Sequence, residues 1–344
     1  MNRFISPMCA GLCALLLLSM TWAGVHVRPA SAAKKKFHMK CGIATLNDVQ
    51  VEWAKRFSDR VVRRSGGRIT TKLYPGGQLG NVTRLIESVQ LGTLECWIAP
   101  PAFIVGVDPR FQVLAAPGLF KDFDHAVRTV SEPKFRKTFL SLGERKGMRG
   151  VSLIVFAPTT YGTRKPVKKL ADFKGLKIRV FASPMQTIPI KMLGAAPAPM
   201  PLMEVLPALQ RGAIDAVRTA VSIFTTFKYY DIIKDITVTD DGMITSIGMV
   251  SQLWYDKLPP DLQRIIMEEG KAVQPELFKW GKAFVAKNFQ IWRDNGGRFN
   301  YLPDAERKEM LKKFSAVGGQ VLKNNPSVKK VYDLLVDATK KTAQ

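Results

Sequence analysis

The chain has 344 residues, 46% of them hydrophobic and 23% charged. That balance excludes disordered, collagen-like and multi-span membrane classes and leaves room for two domains of ~100–200 residues. With 52 Lys+Arg against 28 Asp+Glu, the formal charge is +24, which bears on solubility and on attraction to polyanions rather than on fold. Four cysteines are too few for a disulfide scaffold, and three histidines leave little for a His-built metal centre. Neither a metal nor another cofactor is expected.

Arg3 precedes an apolar run from Met8 to Trp22, too short for the ~20 residues of a membrane span. Ala30-Ser31-Ala32 then supplies the small residues that signal peptidase reads. Residues 1–32 therefore read as a cleavable secretory signal, with a mature, exported chain from about Ala33. Cys41 and Cys96 remain, each in a strand-like run (38–44 and 94–99) that could neighbour the other. A cross-strand disulfide and a pair of buried thiols are both open, the second being the blander reading.

Strand-like and helix-like segments alternate from there on, which argues for an α/β protein. After the first strand, Asn47 reads as an N-cap, and Val49, Trp53, Phe57 and Val61 put one apolar face on a helix that Ser65-Gly66-Gly67 ends. Ile69 to Tyr74 reads as a strand, Pro75-Gly76-Gly77 as a turn and Asn81 as a second N-cap. Val82, Leu85, Ile86 and Val89 then follow helical spacing up to Gly92. A second α/β region starts near Val151. It runs through strands at Leu176–Val180 and from Asp215, with helices at Pro184–Leu193 and Leu202–Arg211 between them. The last third is mainly helical. Pro259-Pro260 opens a helix and Pro275 interrupts it, so a kink or two abutting helices are expected. A strand at Arg298–Leu302 and a helix at Ala305–Asn324 follow.

Common catalytic templates are missing: there is no GxSxG, P-loop, GxGxxG, HExxH or paired CxxC. His125, among acids, reads as a surface or capping residue, and Asp240-Asp241 before Gly242 as a solvated turn. The basic residues are scattered in pairs beside helices, with no aromatic-interleaved stripe, so nucleic acid is not expected. An exported basic protein that binds membrane or polyanion surfaces is the alternative that rests on charge. Arg179 differs, because it sits inside an apolar strand. Taken alone it is an outward-facing residue of an edge strand; in a cleft, its planar fork would hold a carboxylate through two charge-assisted hydrogen bonds.

The segment Asp172-Phe173-Lys174-Gly175-Leu176-Lys177-Ile178-Arg179-Val180 resembles the signature strand of TRAP-type (tripartite ATP-independent periplasmic) transporter solute-binding proteins, the dicarboxylate-binding, DctP-like family. Tyr74-Pro75-Gly76-Gly77-Gln78-Leu79-Gly80, Ala116-Pro117-Gly118-Leu119-Phe120, Arg164-Lys165-Pro166-Val167, Pro199-Met200-Pro201 and Gln210-Arg211-Gly212-Ala213-Ile214-Asp215 extend the resemblance in order and spacing. It implies a two-lobe periplasmic binding protein fold with a ligand cleft between the lobes and a long bent helix spanning both. The implied boundaries are lobe I at 33–156, lobe II at 157–245, a return to lobe I with the start of the long helix at 246–284, and lobe II with the C-terminal helices at 285–344. The implied function is that of a non-enzymatic monomer in the periplasm that captures a small organic acid and delivers it to the membrane subunits of a TRAP transporter.

The resemblance also makes Arg179 the carboxylate anchor. Two positions depart from the family pattern. Thr159 stands near where many members carry a second arginine, and Thr219 replaces an asparagine that helps hold the carboxylate. Fewer charged contacts point to a monocarboxylate with a more apolar or aromatic body, against which Trp97 either packs or remains in the core. Arg218 reads as a surface residue.

Overall fold

The computed structural model describes residues 35–343; the expected signal at 1–32 lies outside them. The first half of the chain is built from β1 (Phe37–Ile43), α1 (Val49–Arg64), β2 (Ile69–Tyr74), α2 (Val82–Gln90) and β3 (Cys96–Ala99), followed by α3 (Phe123–Ser131) and α4 (Pro133–Ser141). β4 (Met148–Thr163) leads into β5 (Lys177–Val180), α5 (Pro184–Met192), β6 (Ala196–Pro199), α6 (Leu202–Gln210), β7 (Ala216–Thr219) and α7 (Val221–Thr226). β8 (Asp235–Ser251) brings the chain back to α8 (Gln252–Tyr255), α9 (Pro260–Ala272) and α10 (Gln274–Asp294). β9 (Arg298–Tyr301), α11 (Asp304–Leu322) and α12 (Pro326–Lys341) complete it.

Both halves follow the βαβ logic: β1 lies parallel to β2 and β3, and β5 lies parallel to β6 and β7. Two strands far longer than the rest join the halves. β4 and β8 run antiparallel along their whole length. The far end of β8 pairs with β3 at Ile247–Val250, while the far end of β4 pairs with β7 at Thr160–Thr163. The result is one sheet in the order β2-β1-β3-β8-β4-β7-β5-β6, with β9 added to β8. The ladder of this ribbon shifts register three times: β4 carries one extra residue at Gly150/Ser152 and at Val155/Ala157, whereas opposite Pro158/Thr160 the longer bulged stretch, 239–242, is on β8. At one point the ribbon touches α1 closely, since a side chain at Gly248 would collide with the Trp53 indole.

Several expectations change in detail. Asp48, not Asn47, caps α1: its Oδ1 accepts from the backbone N–H of Gln50 at 3.0 Å and of Val51 at 3.2 Å. Asn47 instead takes the left-handed turn before it, with φ 46°. Cys41 and Cys96 pair in register on β1 and β3, both are free and buried, and the two Sγ atoms face each other at 2.8 Å. The expected solvated turn at Asp240-Asp241 lies inside β8. Its Asp240 takes φ 51° and is exposed, whereas Asp241 is fully buried.

His125 is buried rather than superficial. Its Nδ1 accepts from Lys121 N, and its Nε2 bonds the Thr339 carbonyl of α12. α9 and α10 run on through Val273, which keeps a helical φ of −70° and ψ of −22° and whose N–H donates to Glu269 O while its carbonyl accepts from Leu277 N, so the expected long helix is interrupted only just before Pro275, and α10 packs on α1, β4 and α7. α12, which the 285–344 boundary puts with lobe II, packs on α3 and α4 instead, because its Val328, Val331 and Leu335 complete the core of the first half.

Candidate functional site

Parallel strands gather their carboxyl ends on one side of a sheet, and the loops leaving them frame a crevice. Here the crevice is a narrow cavity of about 40 Å³. The residues just after β1 (Ala44, Thr45) and β3 (Pro100) form one wall. Arg179 on β5, Phe181 just after it and Thr219 at the end of β7 form the other, while Phe156 on β4 and Ile244 on β8 close the back. Both halves of the chain therefore contribute to one site.

Arg179 lies on an interior strand of the sheet, between β6 and β7, and is only 1% exposed. Its Nε and Nη2 both donate to the Met200 carbonyl, at 3.1 and 3.0 Å. The guanidinium lies 5.0 Å from the centre of the Phe181 ring, and its Nη1 is buried without a hydrogen-bond partner. Among the described residues no carboxylate pairs with it, and burial pushes its pKa down to about 10. A buried cation with an unsatisfied donor on a cavity wall is a seat for an anion.

Thr219 lines the same cavity; it lies two residues beyond Val217, the strand partner of Arg179. Thr159 and Trp97 do not line it. Thr159 is buried on β4 beside Gly242, where an added Cβ would meet Thr159 Oγ1 at 3.7 Å and Arg218 Nη2 at 3.6 Å. Trp97 is fully buried in the first-half core with Leu85 and Val89, while Ala99, two residues along the same strand face, reaches the cavity.

Arg218 is not a surface residue. It is 3% exposed, and its Nη2 donates to Asp241 Oδ2 at 2.7 Å and its Nε to the Tyr161 hydroxyl at 3.0 Å. Burial works against its charge, but the Asp241 carboxylate outweighs that and holds it above the ordinary arginine range. Neutralised in this way, Arg218 is not available to a ligand.

Gln50 and the Phe103, Phe156 and Phe181 rings carry much of the site and were not read from the sequence. Gln50 occupies the first turn of α1, where a glutamine gives no pattern of its own; the aromatics gave only an apolar signal common to any core.

Asp48, next to the cavity wall, is 1% exposed, and burial pushes its pKa up to about 7 despite the two backbone N–H groups it accepts. A carboxyl with a raised folded-state pKa favours the fold in its protonated form. Its contribution is therefore full below the unfolded value and is lost as pH rises through about 7. Asp48→Asn, which keeps the cap acceptor, should gain melting temperature relative to the parent between pH 5 and pH 8. Thermal scans across that range check this; a difference that does not grow with pH would contradict it.

Comparison with known proteins agrees with this architecture. An uncharacterized protein of Haemophilus influenzae is 32% identical over 74% of this chain and 77% of its own length. The 2,3-diketo-L-gulonate-binding periplasmic protein YiaO of Escherichia coli is 30% identical over 63% of this chain and 66% of its own. Among solved structures, a TRAP periplasmic solute binding protein from Desulfovibrio salexigens with bound orotic acid superposes with a TM-score of 0.84 at 21% identity. That match covers 89% of this chain and 100% of that one, and it shares the two-lobe α/β fold. The profile of the DctP family, described as bacterial extracellular solute-binding protein, family 7, matches residues 42–324, and this chain belongs to that family.

Proposed function

We propose that the protein is the extracytoplasmic solute-binding subunit of a TRAP transporter, which captures a small organic acid in the periplasm through its carboxylate and delivers it to the membrane permease. The observation that carries this reading is the buried Arg179 guanidinium, with Nη1 unsatisfied in a cavity walled by both halves of the chain. Family membership supports it. So do the solutes named for the relatives, 2,3-diketo-L-gulonate and orotic acid, which share a carboxylate and little else. The apolar segment and small-residue motif in 1–32 fit export.

The protein acts as a monomer and a two-state switch. The cores of the two lobes come from the described part of 33–156 and from 157–245, and a ligand touching both favours the closed form by its differential affinity. The surface-binding alternative rests on net charge, and part of the basic surface of α1 is paired: Arg60 and Arg64 each reach Glu269 at 2.6 Å.

Native mass spectrometry of freshly purified protein should reveal a co-purified acid. Calorimetry with a panel of organic acids should give saturable binding, with each acid recovered unchanged after prolonged incubation. Absence of binding by every carboxylate, or conversion of a bound one, would overturn the proposal.

A further inference from the structure

Resting on the reading of the protein as a carboxylate receptor, we infer that its solute is a monocarboxylate with a flat, aromatic body bearing one hydrogen-bond donor, and that Gln50 is the residue that reads this donor. Three observations converge. Among the described residues, Arg179 is the one charged residue lining the cavity and no acid lines it, so a single carboxylate is neutralised and a second charge would be buried unpaired. Ten of the fourteen lining residues are apolar. Three of these are phenylalanines, 103, 156 and 181, and the Phe103 and Phe181 rings lie 4.9 Å apart. Phe103 and Phe181 touch each other and so offer a ring an apolar face rather than a slot, and such walls would strand most hydroxyls of a polyhydroxylated acid.

The third observation concerns Gln50. It stands on the first-half wall, on the other side of the cleft from the strand carrying Arg179, and is 2% exposed. Its Nε2 donates to Ser246 Oγ of β8 at 3.2 Å, which fixes the amide, and its Oε1 is buried with no hydrogen-bond partner. A fixed carbonyl oxygen in an apolar wall accepts a hydroxyl or N–H and rejects the analogue that lacks it. Thr219 stands beside Arg179 at the carboxylate end.

The test uses the mature protein and titration calorimetry with benzoate, phenylacetate and 3-phenylpropanoate. Each is measured bare, with a meta or para ring hydroxyl, and as the corresponding methyl ether; galacturonate is the polyhydroxylated control. At least one hydroxylated acid should bind more than tenfold tighter than its bare parent and its ether. Gln50→Leu should shrink that preference below twofold. Ser246→Ala, which frees the amide to turn its NH2 inward, should bring the ether within threefold of the phenol. Thermal unfolding confirms that both variants are folded, and either variant alone decides if the other is not. A preference that survives in both variants, no hydroxyl preference in the parent protein, or tighter binding of galacturonate than of every aromatic acid would overturn the inference. Arg179→Met separates the two readings: binding retained in that variant sinks the carboxylate receptor itself, whereas binding lost there with selectivity intact in Gln50→Leu sinks only the role of Gln50.

Discussion

Arg179→Met should weaken carboxylate binding by at least ~100-fold and leave the ligand-free protein as stable as the parent, or more so. The first effect follows from losing a desolvated, hydrogen-bonded charge pair, which typically costs about 2–5 kcal/mol. The second follows from the ligand-free state itself. Burial lowers the Arg179 pKa from the ordinary arginine range to about 10, so the fold disfavours the charged form. The penalty is complete at every pH below the folded value and disappears only in strong alkali. At ~1.4 kcal/mol per unit this is roughly 3 kcal/mol, against ~1–3 kcal/mol for leaving the Met200 carbonyl without its donors. Calorimetry and differential scanning on the same samples read both effects. Retained affinity would remove Arg179 as the anchor; a melting temperature lowered by more than ~5 °C would mean that its charge is compensated in the ligand-free fold.

The opposite outcome is expected for the second buried arginine. In Asp241→Asn the Arg218 guanidinium remains at 3% exposure with no counter-charge, and breaking such a pair costs about 3–5 kcal/mol. The loss spreads because Asp241 is a junction: Oδ2 accepts from Arg218 of β7 and Tyr161 of β4, Oδ1 accepts from Thr239 at 2.7 Å, and the main-chain oxygen accepts from Gly118 N at 2.9 Å. A fall of about 5–10 °C in melting temperature is expected. The double replacement Arg218→Met with Asp241→Leu should recover most of it, since neither charge is then stranded. Recovery by the double variant that is no better than additive would show that the two residues act separately.

These two arginines also mark the limit of what the sequence discloses. Helices such as α1 and α2 were legible because their apolar residues recur at helical spacing and their ends carry Ser, Asn and Gly. β8 was not, because Asp240-Asp241-Gly242 has the composition of a turn; burial of Asp241 becomes affordable only through Arg218, 23 residues away. Arg218 was misread for the same reason, since a charged pair brought together by strand pairing leaves no local trace. Arg179 drew notice as a cation between Ile178 and Val180, but taken alone it read as outward-facing, and only the family resemblance made it the anchor. Thr219 was named through the family resemblance, and the register of the sheet puts it two residues past the strand partner of Arg179, whereas Thr159 and Trp97 fall on faces that only the assembled sheet decides.

The double grip of the Met200 carbonyl on Nε and Nη2 of Arg179, with the Phe181 ring beneath, has a thermodynamic corollary. A long, flexible side chain normally surrenders about 0.5–1.5 kcal/mol of rotamer freedom when a partner immobilises it. Here that freedom is already gone before any solute arrives, so the encounter draws on less ordering of the receptor. A rigid receptor group of this kind favours solutes whose geometry matches at first contact and gives little reward to those that must be adapted to.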